Sequence, residues 1–155
     1  MSAPRAVVFA CGSLGAPDLP RRGLSAGSAP LAVLLLDVEA DLELRDGDRT
    51  VWSERAFPVA ELARTLSSWL SLPDRERADF AFDSMAYDAP GAVRIAPEAD
   101  GWRVGSVHAP GSWTTPMEWA ALRAGLVEFV EAVRTGVAEL GVDPDLVVPR
   151  CSRTG

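Results

Sequence analysis

From residue 36 to residue 44 apolar and acidic side chains alternate without a break. Leu36, Val38, Ala40, Leu42 and Leu44 fall on one side; Asp37, Glu39, Asp41 and Glu43 fall on the other. A period of two marks a strand with one buried and one wet face. Asp46-Gly47 then supplies turn chemistry, since both residues tolerate a positive φ, and residues 50–56 return as the second arm of a hairpin. After the hairpin the period changes. Pro58 suits a helix start, Val59, Leu62, Leu66, Trp69 and Leu70 recur at helical spacing, and Pro73 ends the run. Beyond a charged loop at 75–79, Phe80 and Phe82 open a third strand running to Tyr87. Turns at 88–91 and 97–101 bound a fourth strand, 92–96, and a fifth follows at 102–108 with Trp102 and Val104 inward. Thr115, Pro116 and Glu118 read as a capping box, and Leu122, Leu126, Phe129, Val130, Val133, Val137 and Leu140 form one stripe until Gly141. Such a helix, of about 25 residues, spans roughly 37 Å and reaches across a five-stranded sheet.

The connections are too short for parallel crossovers. The expected fold is therefore α+β: an antiparallel sheet of about five strands in the order β-β-α-β-β-β-α, covered on one face by two helices, the C-terminal one long. Residues 1–30, eighteen of them Ala, Gly, Pro or Ser, read as a flexible leader; residues 31–142 form the single domain and residues 143–155 an irregular tail.

With 155 residues, 48% of them hydrophobic and 24% charged, the chain is long enough to bury a core of its own. Every basic residue is Arg, Lys, Asn and Gln are missing, and Ile95 is the sole isoleucine, which points to a GC-rich, actinobacterial genome. The net charge of -7 divides into +2 over residues 1–30 and -9 over the rest. Such a surface repels phosphate backbones, so no nucleic acid is expected, and a protein partner with a basic surface fits better. No run approaches the roughly 18 apolar residues of a membrane span, so no membrane is expected. Apolar residues 6–10 are cut off by Gly12, Ser13 and Gly15, short of a signal core, and Phe9 spoils a lipoprotein box at Cys11. Cys11 and Cys151 have neither disulfide-scaffold nor metal-knuckle spacing and read as free thiols of a cytoplasmic protein.

A Ser106–His108 pair with Asp83 or Asp88 can be drawn as a hydrolytic triad. Residues i and i+2 of a strand are roughly 6.5–7 Å apart, however, and no nucleophile elbow surrounds Ser106. The carboxylates of the alternating strand are likewise too far apart to converge on an ion, so neither metal nor cofactor is expected. If the Asp46-Gly47 hairpin is tight, Val51 joins the Leu42/Leu44 face, and parity sends Trp52 and Glu54 outward to join Asp37, Glu39, Asp41 and Glu43. A tryptophan among five carboxylates suits a basic partner's pocket, and these six residues are the expected partner-binding face. The alternative is a small enzyme or ligand-binding domain with a pocket between sheet and long helix, using Asp83, Tyr87 and His108.

Val7-Val8-Phe9-Ala10-Cys11-Gly12-Ser13-Leu14-Gly15 is similar to the strand-and-loop opening of gamma-glutamylcyclotransferase-like enzymes. Cys11 stands in place of that family's tyrosine, and no later segment matches its catalytic glutamate. More extensively, Phe57-Pro58-Val59-Ala60-Glu61-Leu62 with Trp69-Leu70, the Phe80/Phe82 strand, Gly101-Trp102-Arg103-Val104-Gly105-Ser106 and the terminal helix resemble a family of small actinobacterial proteins of unknown function over residues 36–142. Loosely, such small acidic α+β proteins also resemble bacterial immunity proteins. That resemblance implies a non-enzymatic acidic protein-binding domain, an immunity protein or specific inhibitor of a partner protein.

Overall fold

A computed structural model describes residues 7–151, with Val7 and Val8 described by their backbone alone. The alternating segment behaves as its pattern demands from Val38 onward: Val38, Ala40, Leu42 and Leu44 are all buried. It forms β2 (Glu39–Asp46), the centre of an antiparallel sheet in the order β1-β2-β3, with β1 at Val7–Gly15 and β3 at Arg49–Phe57. Leu36 and Asp37 belong instead to a short helix, α1 (Leu31–Asp37), which begins after Pro30 and closes when the Val38 N–H donates to the Leu34 carbonyl. Two features draw this segment into a helix. The run Leu31 to Leu36 has no polar alternation of its own, and Asp37 is tied sideways to Arg22.

The leader expected over residues 1–30 is corrected for its described part. Residues 7–15 pair along β2, with Phe9 opposite Leu44 and Cys11 opposite Leu42. Phe9 is buried with its ring 5.3 Å from that of Phe129, and Leu19 is buried further on. Small and turn-forming residues are common in this segment, yet Phe9 and Leu19 are buried, and Leu14 and Leu24 are half-buried against the core. Residues 1–6 of the expected leader, and 152–155 of the expected tail, lie outside the described residues.

The expected helix after the hairpin is α2 (Val59–Leu70), burying Val59, Leu62, Leu66, Trp69 and Leu70 as its spacing requires. The expected third strand, by contrast, lasts only two residues, β4 (Phe80–Ala81), before the chain turns through residues 83–91. With β5 (Arg94–Glu98) and β6 (Gly101–Gly105) it makes a second antiparallel sheet in the order β4-β5-β6. One five-stranded sheet is thus replaced by two three-stranded ones. The missing strand was hidden in the leader, and β3 does not pair with β4.

The long helix is α3 (Trp119–Glu139), 21 residues and about 32 Å long. Its stripe Leu122, Leu126, Phe129, Val130, Val133 and Val137 is buried against β1 and α2. Gly136 permits that approach to β1, for a Cβ there would lie 2.8 Å from the Leu14 side chain. The helix starts three residues later than the capping box suggests, because the backbone before it is already committed. Met117 exchanges hydrogen bonds of 2.8 and 2.9 Å with Trp102, and the Thr115 N–H donates to Asp46. Gly101 makes the pairing possible: its φ is 136°, and a Cβ would fall 2.4 Å from the Met117 carbonyl oxygen.

The tail is not irregular throughout. A short α4 (Pro144–Val147) precedes Val148, and both valines are buried. Arg134, buried on α3, donates to the Val148 carbonyl and to Asp145 (2.7 Å), while Arg64 on α2 donates to the carbonyls of Leu146 and Val147 at 3.0 and 3.1 Å. At the opposite junction Trp69, Trp102 and Trp119 join α2, β6 and α3 with ring centroids 5.4–5.8 Å apart, and the Arg77 guanidinium lies 4.1 Å from the Trp119 ring.

Candidate functional site

The six residues expected to form one face are divided by the structure. Glu39, Asp41 and Glu43 do share the outward side of β2, where Asp41 and Glu43 line a groove of about 680 Å³ together with Ala10 and Gly12 of β1. Each is already engaged or perturbed. Asp41 accepts the Ala56 N–H at 3.2 Å, and Glu43 accepts the Thr50 hydroxyl at 2.6 Å. Burial raises the Glu39 carboxyl, helped by the negative charges of Asp18, Asp37 and Asp41. Asp37 is not on this face. It sits in α1, 4% exposed, and accepts from Arg22 at 2.6 and 3.2 Å.

Trp52 and Glu54 are turned to the other side, and the cause is one extra residue. The β2–β3 register pairs Arg45 with Thr50 and Leu44 with Trp52, leaving Val51 as a bulge. Val51 is buried, as expected, but the bulge resets the alternation, so Trp52 is also buried at 7% exposure and Glu54 lies opposite Leu42. The expected exposed tryptophan is therefore a core residue, packed 5.6 Å from Phe57 and stacked 6.2 Å from His108.

The same reversal brings together residues from both expected sites. His108 lies 5.4 Å from Tyr87, and Tyr87 lies 5.9 Å from Phe57. The Tyr87 hydroxyl is raised by burial and then by the charge of Glu54. Asp83 is exposed in the same turn as Tyr87. The Tyr87 and His108 rings, two of the residues expected at a pocket with Asp83, thus pack on one another. Nor does the Ser106 hydroxyl serve the imidazole: buried at 1% exposure, it accepts the backbone N–H of His108 at 3.1 Å. Beneath lies a contact that sequence reasoning missed. The buried Ser84 hydroxyl donates to the buried Glu61 carboxylate of α2. The partners are 23 positions apart, one on a helix and one in a turn, so no local spacing marks them.

A cleft of about 820 Å³ opens where the β2–β3 turn, the β5–β6 turn and the start of α3 meet. Asp46 forms one wall and holds the site together, accepting from Thr115 N–H (2.8 Å), the Thr115 hydroxyl (3.1 Å) and Arg49 (3.2 Å). Burial alone would raise the Asp46 carboxyl, but these bonds to its charged form outweigh it and hold it below its ordinary value. The floor is Pro116, Met117 and Ala121. Asp48, Asp100 and Glu118 also line the cleft; they are exposed, and among the described residues their carboxylates accept no hydrogen bond and form no ion pair. Asp100 has a local reading in the sequence as part of a turn and Glu118 as part of a cap, Asp48 has none, and only the tertiary fold gathers the three.

Among the described residues no group of three or more His, Cys, Asp or Glu is placed to hold a metal ion, and no helix is long and apolar enough to cross a membrane. Cys11 and Cys151 are free thiols, and burial pushes the Cys11 thiol up to about 11, far from thiolate chemistry at neutral pH. A family model described as a domain of unknown function, DUF7878, matches residues 23–139. Comparison with curated proteins found no match, and comparison with solved structures found none either.

Proposed function

The chain belongs to the family of the domain of unknown function DUF7878, and with no activity to inherit from it we propose that the protein is a non-enzymatic, acidic protein-binding domain that docks a partner's basic surface at the cleft beside α3. One observation carries this reading: Asp48, Asp100 and Glu118 surround the cleft without partners of their own. Carboxylates that stabilise the fold are engaged, as Asp46 is; these three are free to meet incoming charge. A concave acidic surface concentrates its field and speeds association with a cation, and the net charge of -7 acts in the same direction. An immunity protein or specific inhibitor would be one form of such a domain. The docking residues differ from those expected on β2, where Asp41 and Glu43 already have partners.

The cleft's concavity, between sheet and long helix, favours a second reading, a domain that binds a small cationic ligand. One titration separates the two. We expect an octa-arginine peptide to bind the full chain at roughly 0.1 M salt, where the screening length is about 10 Å, and spermidine to compete poorly. The Asp48→Asn/Asp100→Asn/Glu118→Gln variant should bind the peptide about tenfold more weakly, because it removes three charge pairs worth roughly 0.5 kcal/mol each. Removing three exposed carboxylates elsewhere, Glu76→Gln/Asp79→Asn/Glu139→Gln, should change affinity less than about twofold, because distant charges are screened. Equal losses in both variants would reduce the cleft to unspecific charge, and tight competition by spermidine would favour the small-ligand reading.

A further inference from the structure

Away from the cleft, two turns lie side by side. In one, the Ser84 hydroxyl accepts the Ala86 N–H at 3.0 Å and the Ser84 carbonyl accepts the Tyr87 N–H at 3.2 Å. In the other, the Ser106 hydroxyl accepts the His108 N–H and the Ser106 carbonyl accepts the Ala109 N–H, both at 3.1 Å. Both serines are buried, Ser84 is held from below by Glu61, and the Val107 N–H ties the turns together by donating to the Gly91 carbonyl at 2.8 Å. What these braced turns display is apolar. Met85 is 68% exposed and Val107 38%, beside the half-buried Tyr87 and the exposed His108. Packing does not require Met85 to be there, since most of its surface meets only solvent.

We propose that this paired turn is a docking surface for a peptide segment of a partner protein in which an arginine stands next to an apolar residue. It rests on the reading of a basic protein partner and deepens it by naming the segment, but it uses none of the cleft residues. Charge selects the arginine. Glu54, Asp83 and Asp88 border the patch and form no ion pair among the described residues, and neither turn contains an arginine of its own. Arg94, whose side chain approaches Gly91, has its guanidinium over Trp113 at 5.4 Å. A planar guanidinium can stack on Tyr87 or His108 while pairing with those carboxylates, which a lysine ammonium does less well. The neighbouring apolar residue would cover Met85 and Val107. Neither ring has to reorganise on binding: Trp52 and Phe57 support His108 and Tyr87 from the core, and a preformed aromatic surface spares the ordering cost of docking.

The test is a selection of random peptides displayed on phage against the immobilised full chain, followed by titration of the winning peptide made synthetically. Peptides carrying an arginine beside an apolar residue should be enriched. Met85→Ser/His108→Ala, both at exposed positions, should weaken the winner at least about tenfold with the melting temperature unchanged, as loss of an interface anchor does. Asp83→Asn/Asp88→Asn should weaken it as well, and an arginine-to-lysine change in the peptide should weaken it further. The cleft variant Asp48→Asn/Asp100→Asn/Glu118→Gln should leave the affinity within about twofold, because well-separated sites act additively. No enrichment, enrichment of peptides lacking arginine, or binding untouched by Met85→Ser/His108→Ala would overturn the proposal. Loss of the winner in the cleft variant alone would overturn it too, while leaving the cleft reading intact.

Discussion

Asp46 sits at a hairpin turn and yet joins two sheets, because its carboxylate accepts from Thr115 in the strand-like segment before α3 and from Arg49 on β3. Its folded-state pKa is depressed. The stabilisation it contributes is therefore complete above its unfolded value of about 3.9 and is lost as pH falls through the lower folded value. Thermal melts taken from about pH 6 down to about pH 2 should show this as a fall in midpoint that Asp46→Asn flattens, since the amide does not titrate. An unchanged acid profile in that variant would mean the clasp contributes nothing. Glu39 acts with the opposite sign: its raised value means that ionisation opposes folding. The residue scale is also where sequence reading failed most sharply. The alternation of Val38, Ala40, Leu42 and Leu44 was visible and correct. The bulge at Val51 was not, because no residue type demands it and both Val51 and Trp52 are plausible core residues. One unannounced residue moved Trp52 and Glu54 across the sheet.

At the scale of elements, α2 and the α3 stripe were legible because a 3.6-residue period over several turns has few competing explanations. The strand β1 was less so. Val7 to Cys11 is an apolar run of strand length, but the surrounding Gly, Pro and Ser outweighed it, and a five-residue run does not distinguish strand from loop by itself. The family match begins at residue 23 and ends at 139, so β1 and α4 fall outside it. Both are nonetheless structural parts of this protein. Cutting the chain to residues 23–139 exposes Phe129 beneath Phe9, removes an entire row of sheet hydrogen bonds, and leaves the buried Arg134 without the Val148 carbonyl and Asp145. Arg134 then keeps only Glu131, at 3.7 Å, and a buried cation stripped of its hydrogen bonds costs a few kcal/mol, a large part of a small domain's stability. The trimmed chain should therefore lose the cooperative unfolding transition that circular dichroism follows in the full chain. A sharp, cooperative melt of the 23–139 chain would show that neither element is needed.

At the scale of the whole molecule, periods along the chain mark helices and strands but carry no record of their partners. Hence β4, β5 and β6 were expected to extend the first sheet rather than form their own. The candidate cleft shares this origin. Asp48, Asp100 and Glu118 come from three separate connections and meet only because the two sheets are clasped at Asp46, so no reading along the chain could have grouped them. The junction where Trp69, Trp102 and Trp119 converge from α2, β6 and α3 has an optical consequence. Three indoles with centroids 5.4–5.8 Å apart are coupled chromophores: their transitions mix, and light absorbed by one is shared by all. The near-ultraviolet circular dichroism of the folded protein should be strong, because the three indoles are held in fixed, asymmetric contact. If the second sheet lifts away from α2 and α3, the triplet breaks and the signal collapses, even while α3 keeps its helical far-ultraviolet band. The protein thus carries its own spectroscopic gauge of whether its two sheets are docked.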